Sequence, residues 1–209
     1  MPTLVKAVLF DADGVTQYAP EKWADGFARG LAFERPDQVK QFTVDVCEAE
    51  IAHLSRVDGF DEALDDVLRA WDRLDQKSFV IETMLSIEPH HHVMDTIKSI
   101  RASGIQCYIA SNQQTQRAKF MAAKFGYSAK FDGQLYSCML GAAKPSERFY
   151  ELALKAVGAT ASQTLFIDDR PENVDGASRV GLHAVVYDGQ SGATELRSKL
   201  RKFGIEFDS

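Results

Sequence analysis

Two aspartates, Asp11 and Asp13, directly follow the apolar run 5–10 and precede Gly14. In an extended chain residues i and i+2 point the same way, so both carboxylates would face one space. Gly14 permits a sharp exit and close backbone approach. Far down the chain a second apolar run, 164–167, ends in Asp168 and Asp169. If both runs are strands of one parallel sheet, four carboxylates gather at one edge, and that many anions require a cation. Between them, the run 105–110 ends in Ser111-Asn112, whose hydroxyl and backbone N–H groups suit a phosphate oxygen. Lys144, before Pro145 and a helix start, is a point charge suited to an anion. A hard cation such as Mg²⁺ takes oxygen ligands. Lysine and metal together can neutralise a transferring phosphoryl group. A carboxylate can also attack phosphorus to give an aspartyl-phosphate that water hydrolyses. Asp11 and Asp13 can supply both the nucleophile and the proton donor.

The elements that must position these groups follow from periodicity. From Pro20 to about Leu85 the pattern is helical: 21–33 with Trp23, Phe27 and Leu31 on one face, a helix begun by Pro36, and 60–74. From Pro89 strands and helices alternate. Helices are expected over 93–103, 115–125, from Ser146 to about Val157, 171–180 and 193–202. Strands are expected over 105–110, 134–139, 164–167 and 183–186. Repeated units of this length predict an α/β fold, a Rossmann-like parallel sheet flanked by helices. The helical segment is read as an insertion after the first strand, which places the core at 1–15 and 88–209 and the insertion at 16–87.

Hydrophobic residues make up 45% of the 209, charged residues 26%, and the net charge is -6. This is a globular balance, and it disfavours a general nucleic-acid or anionic-membrane role. The amino terminus lacks a basic segment ahead of a signal-like apolar core, and no apolar run approaches membrane-spanning length. Cys47, Cys107 and Cys138 have no metal-ligand spacing and read as reduced thiols of a cytoplasmic protein. His90-His91-His92 reads as a solvated turn, because neighbouring helical residues point apart. Trp23, Phe27, Phe33 and Trp71 read as the core of the helical insertion. One of Gln17, Tyr18 and Glu21 is a candidate to touch substrate.

Asp11-Ala12-Asp13-Gly14-Val15, Ser111-Asn112, Lys144-Pro145 and Asp168-Asp169 resemble the four motifs of the haloacid dehalogenase-like (HAD) hydrolase superfamily. The resemblance covers nearly the whole chain, and the helical segment falls where that family inserts its first-type cap. It implies that Asp11 is the nucleophile. Asp13 would be the general acid and then the base, its carbonyl binding Mg²⁺. Ser111 and the N–H of Asn112 would hold phosphoryl oxygens, and Lys144 would bridge nucleophile and phosphate. Asp169 would bind the metal, with Asp168 a second or outer ligand, and Asn173 would orient the acidic loop. Dehalogenating members resemble Asp-x-Tyr where this chain has Asp13, so the expectation is a Mg²⁺-dependent phosphatase acting on a small phosphorylated metabolite, as a monomer or weak homodimer. The rivals are a phosphomutase, which returns the phosphoryl group to a sugar, and a non-catalytic binding module. A response-regulator receiver also uses acids, a hydroxyl and a lysine, but in another order.

Overall fold

The structure is a computed structural model that describes residues 5–206. It begins with β1 (Ala7–Phe10) and β2 (Gln17–Tyr18), followed by helices α1 (Trp23–Gly30), α2 (Pro36–Ile51), α3 (Phe60–Ala70) and α4 (Lys77–Met84). The chain returns through β3 (Glu88–Pro89), α5 (His91–Ala102), β4 (Gln106–Ser111), α6 (Thr115–Phe125), α7 (Tyr127–Lys130), β5 (Gly133–Tyr136) and α8 (Ser137–Leu140). It ends with α9 (Glu147–Val157), β6 (Thr164–Asp168), α10 (Pro171–Arg179), β7 (His183–Val186) and α11 (Gly192–Arg201).

Five parallel strands form one sheet in the order β5-β4-β1-β6-β7. Every residue of β1 is fully buried, as expected for the central strand of a sheet covered on both faces. Alternation divides the strand. Val8 and Phe10 join the apolar layer that includes Val93, Ile97, Met121 and Leu196. Ala7 and Leu9 join the opposite layer with Phe149, Tyr150, Ala153 and Ala177. The chain leaves β1 for β4 on one side and later returns to β6 on the other, so β1 marks the topological switch point where α/β sheets bind ligands. Phe10 pairs with both Ile109 and Ile167. The next residues therefore come level, and Asp11, the end of β4 and Asp168 share one edge.

Helices α1–α4 close around their own apolar cluster, which includes Phe27, Leu31, Phe42, Leu64, Leu68 and Val80. Phe42 lies against Phe27, Phe33 and Trp71, and the Trp71 indole donates to Asp45 at 2.7 Å. The reading of these aromatics as core residues thus holds. The antiparallel pair β2–β3 joins this segment to the sheet at both of its ends.

Some local expectations are corrected. The strand expected over 134–139 stops at Tyr136, and Cys138 lies in the single helical turn α8, closed by Gly141 at φ 76°. Four residues are too few to show a helical period. The helix expected over 60–74 ends at Ala70, and α4 follows as a separate helix. His90 is buried rather than solvated, 4.8 Å from the Tyr18 ring, where Gly189 passes so closely that a Cβ would meet the imidazole. His92 bonds the Tyr187 hydroxyl at 3.1 Å.

Candidate active site

A cleft of about 270 Å³ opens at the C-terminal edge of β1, β4 and β6, lined by Asp11, Asp13, Gly14, Ser111, Asn112, Lys144, Asp169, Arg170 and Asn173. Of the eight motif and supporting residues expected at the site, seven line it, and Asp168, wholly buried, does not.

Lys144 is the centre of the charge arrangement. Its ammonium lies 2.8 Å from Asp11 Oδ1 and 2.6 Å from Asp168 Oδ2, and it donates to the Ala110 carbonyl at 3.0 Å. The Asn112 side chain grips the Lys144 backbone in both directions, accepting from its N–H at 2.8 Å and donating to its carbonyl at 2.9 Å. Asn112 thus fixes the loop that carries the lysine. Asp168 spends its oxygens on orientation: Asn173 Nδ2 donates to both, at 3.0 and 3.1 Å, and the Arg170 N–H donates at 2.9 Å. Pro171 starts α10 so that Asn173 falls in its first turn, facing back to Asp168. Ser111 Oγ, almost fully buried, accepts from Gln113 Nε2 at 3.3 Å.

Asp11, Asp168 and Asp169 each offer an oxygen to one point, with all three oxygens within 4.8 Å of one another. Asp169 Oδ1 is buried and has no hydrogen-bond partner among the described residues. An orphaned carboxylate oxygen costs free energy unless something binds it, and an all-oxygen donor set suits Mg²⁺. The residues present therefore fit this ion. Asp13 lies outside the cluster of three acids. Its carboxylate accepts from Gln17 Nε2 at 2.9 Å, Gln113 Nε2 at 2.6 Å and Arg117 Nη2 at 2.9 Å, with Nη1 on the second oxygen.

Burial pushes Asp11 up to about 7, against the opposing pull of the Lys144 ammonium. Burial would lower Lys144, but Asp11 and Asp168 together hold it above its ordinary value. Burial, helped by the Asp168 charge, raises Asp169 to about 6. For Asp13 burial also acts upward, yet the Arg117 guanidinium and the two glutamine amides outweigh it and hold the carboxyl below the usual range. Asp169 therefore binds a proton in the folded protein that it has lost in the unfolded chain between pH about 4 and about 6. Its contribution to stability is complete below that window and is lost as pH rises through about 6. Because a metal competes with that proton, the thermal upshift on adding Mg²⁺ is expected to grow as pH rises through about 6. Melting curves with Mg²⁺ and with chelator from pH 5 to 8 check this.

Gly14 has φ +84°, and a Cβ there would sit 2.5 Å from Asp169 Oδ2. Gly14→Ala is expected to cost about 1–3 kcal/mol in backbone strain alone. It should also displace Asp169 and diminish the Mg²⁺-dependent shift in melting, which the same titration reads.

Sequence reasoning missed Gln17's contact with Asp13, and it missed Gln113 and Arg117 altogether. Gln17 is one of the three hinge candidates, but it meets Asp13 rather than lining the cleft, while Tyr18 bonds Glu88 and Glu21 pairs with Arg29. A signal for Arg117 was present: it stands at i, i+4, i+8 with the buried Met121 and Phe125, a charge in an apolar stripe.

Residues 5–181 match the family described as haloacid dehalogenase-like hydrolase. A phosphatase from Mycobacterium tuberculosis is 25% identical over 199 residues, covering 91% of this chain and 90% of that protein. An (S)-2-haloacid dehalogenase from Pseudomonas sp. is 28% identical over 136 residues, covering 62% of this chain and 59% of that protein. Several curated relatives are matched over only about half of their length. The crystal structure of a HAD family enzyme from Bacteroides thetaiotaomicron, in complex with magnesium and inorganic phosphate, has the same fold. Its TM-score is 0.78 at 17% identity, over 92% of this chain and 98% of that one. With its matching sheet, the cleft at the switch point and a family match over most of its length, the chain belongs to the haloacid dehalogenase-like hydrolases.

Proposed function

We propose that this hydrolase is a Mg²⁺-dependent phosphatase of a small phosphorylated metabolite, working through a phosphoryl group carried on Asp11. The observation that carries the reading is the pairing in one cleft of a lysine-bound carboxylate, Asp11, with a second carboxylate, Asp13. Hydrolysis of a phosphate ester needs a group that handles the proton of the leaving oxygen and of the attacking water, whereas halide leaves without a proton. The phosphatase from M. tuberculosis and the magnesium–phosphate complex from B. thetaiotaomicron support the same choice.

Asp11 and Asp169, with the Asp13 carbonyl, would hold the ion, with Asp168 a second or outer ligand whose oxygen converges with theirs. When bound, Mg²⁺ supplies positive charge to the phosphoryl oxygens. Ser111 Oγ and the Asn112 N–H receive one phosphoryl oxygen, and Lys144 faces another. The Asp11 carboxylate attacks phosphorus and the ester P–O bond breaks; Asp13, which Arg117 holds below the usual carboxylate range, must first take up a proton from solvent, and it gives that proton to the departing alkoxide. Asp13 then takes a proton from water as the water oxygen attacks phosphorus. The P–O bond to Asp11 breaks, and phosphate and the free carboxylate are regenerated. At about 270 Å³ the cleft is small, near or below the roughly 300 Å³ of the smallest usual ligand pockets, which favours a compact substrate. Residues 16–87 act as a cap that excludes bulk water over it.

Phosphate release from a panel of small phosphate esters tests this reading. It should require Mg²⁺ and stop with chelator, and (S)-2-haloacids should release no halide. Halide release without phosphate release would sink the phosphatase reading.

A further inference from the structure

Gln113 is almost fully buried in the turn between β4 and α6, just before the residue that caps α6. A buried amide has to find partners for both of its ends, and here chemistry decides which end faces which partner. The Arg117 guanidinium can only donate, and its Nη1 lies 2.9 Å from Gln113 Oε1, so that atom is the amide oxygen. The Asp13 carboxylate accepts from the other atom, Nε2, at 2.6 Å. A flipped amide would set donor against donor on one side and acceptor against acceptor on the other. The backbone is fixed as well. The Gln113 N–H donates at 3.0 Å to the Oγ of Ser137, the fully buried first residue of α8.

With one Nε2 hydrogen on Asp13, the second goes to Ser111 Oγ at 3.3 Å. A serine hydroxyl has one proton to give and two lone pairs. Gln113 occupies a lone pair, so the Ser111 proton has to point away from the amide. Among the described residues no acceptor receives that proton. Ser111 is 2% exposed, and the open space beside it is the cleft that it lines with Asn112 and Lys144. A buried donor left unspent costs free energy unless a ligand takes it. The ligand that suits it is an anionic oxygen.

We infer that Gln113 is the positioning residue for the phosphate-binding hydroxyl: by occupying a lone pair of Ser111 Oγ, its amide turns the hydroxyl proton into the cleft, ready for a phosphoryl oxygen. Gln113 itself touches neither phosphate nor metal in this arrangement; it acts through Ser111. The inference rests on the phosphatase reading, in which the cleft receives a phosphoryl group. At 3.3 Å the bond from Gln113 is long, so it contributes direction more than strength. Without it the hydroxyl is free to rotate, and phosphate has to order it on binding.

The test is a double-mutant cycle of Gln113→Met and Ser111→Ala, read by calorimetry as the affinity of the Mg²⁺-loaded protein for inorganic phosphate. Ser111→Ala should weaken binding about 10- to 100-fold, the scale of a hydrogen bond to a charged group. Gln113→Met, of similar size but without a donor, should weaken it about 10-fold, part of the same hydrogen bond. In the Ser111→Ala background the same replacement should change it less than about 2-fold, since no hydroxyl is left to aim. Effects that run through Asp13 or through the local fold persist in both backgrounds and cancel in this comparison. The thermal upshift on adding Mg²⁺ should be the same in Gln113→Met as in wild type. If Gln113→Met does not fold, Gln113→Asn, whose shorter side chain withdraws the amide from Ser111, takes its place in the cycle. Equal losses in both backgrounds, no loss beside an intact Ser111, or failure of both variants to fold would overturn the inference and leave the phosphatase reading standing. Wild type that binds no phosphate with Mg²⁺ present overturns that reading and the inference with it, and this is seen before any variant is made.

Discussion

Replacing Asp11 by asparagine is expected to reduce phosphate release by at least about 10⁴-fold, the scale on which enzymes lose turnover when a nucleophile is removed. The substitution keeps the shape of the side chain and its place at the end of β1, so the sheet should be undisturbed. It removes the negative oxygen that attacks phosphorus and one of the three oxygens that converge on the metal position. Asp11 also carries a cost in the folded state, since burial opposes its ionised form. Asp11→Asn should therefore fold at least as readily as wild type near neutral pH, which separates loss of chemistry from loss of structure. Steady-state phosphate release and a melting curve on the same preparation check both halves. Turnover within 10-fold of wild type would assign the attack to another group.

The second large effect is expected at Lys144. Its ammonium lies between two carboxylates that are themselves buried, Asp11 and Asp168. Removing one partner of a buried ion pair typically costs about 3–5 kcal/mol, because the remaining charge is left uncompensated. Lys144→Met keeps the length of the stem, so the deficit would come from the lost charge rather than from a cavity. For a domain of this size that corresponds to roughly 10 °C in Tm. Asp11, which burial raises to about 7, can relieve the deficit by taking up a proton, so it should be smaller at pH 5 than at pH 8. Adding Asp168→Asn to Lys144→Met should recover part of the stability, since the pair is coupled, but not the activity. Denaturation of the four members of this cycle measures the coupling directly, and simple additivity would show that the ammonium and Asp168 do not depend on one another.

What the sequence showed of this site is what it carries locally. β1, β4 and β6 are short apolar runs, and the chemistry stands at the residue where each run stops, so Asp11, Ser111 and Asp168 could be placed on one edge before the register was known. Asn112 and Asn173 stand beside the motifs, but their work became visible only in three dimensions: one clamps the Lys144 backbone and the other holds both oxygens of Asp168. The groups around Asp13 were harder to see. Gln113 and Arg117 lie 100 and 104 residues from it in the chain, and what joins them is the way the start of α6 turns toward the end of β1. Helical spacing located α1, α2 and α3 well enough, because each buries large apolar residues at its period. It did not separate α3 from α4, where Asp72, Arg73, Asp75, Gln76 and Lys77 interrupt the stripe. His90 defeated a local reading for a related reason. Its burial comes from Tyr18 and Gly189, which are remote in sequence.

The central claim is that phosphoryl transfer passes through Asp11. The most direct measurement is acid quenching of the Mg²⁺-loaded enzyme during turnover of its best phosphate ester, followed by peptide mapping of the trapped phosphoprotein. Phosphate should be found on the peptide that contains Asp11, at a level that decays when substrate is exhausted, and it should be missing from Asp11→Asn. Rapid turnover with no phosphorylated peptide on that time scale, or with the phosphate on a different side chain, would contradict the account.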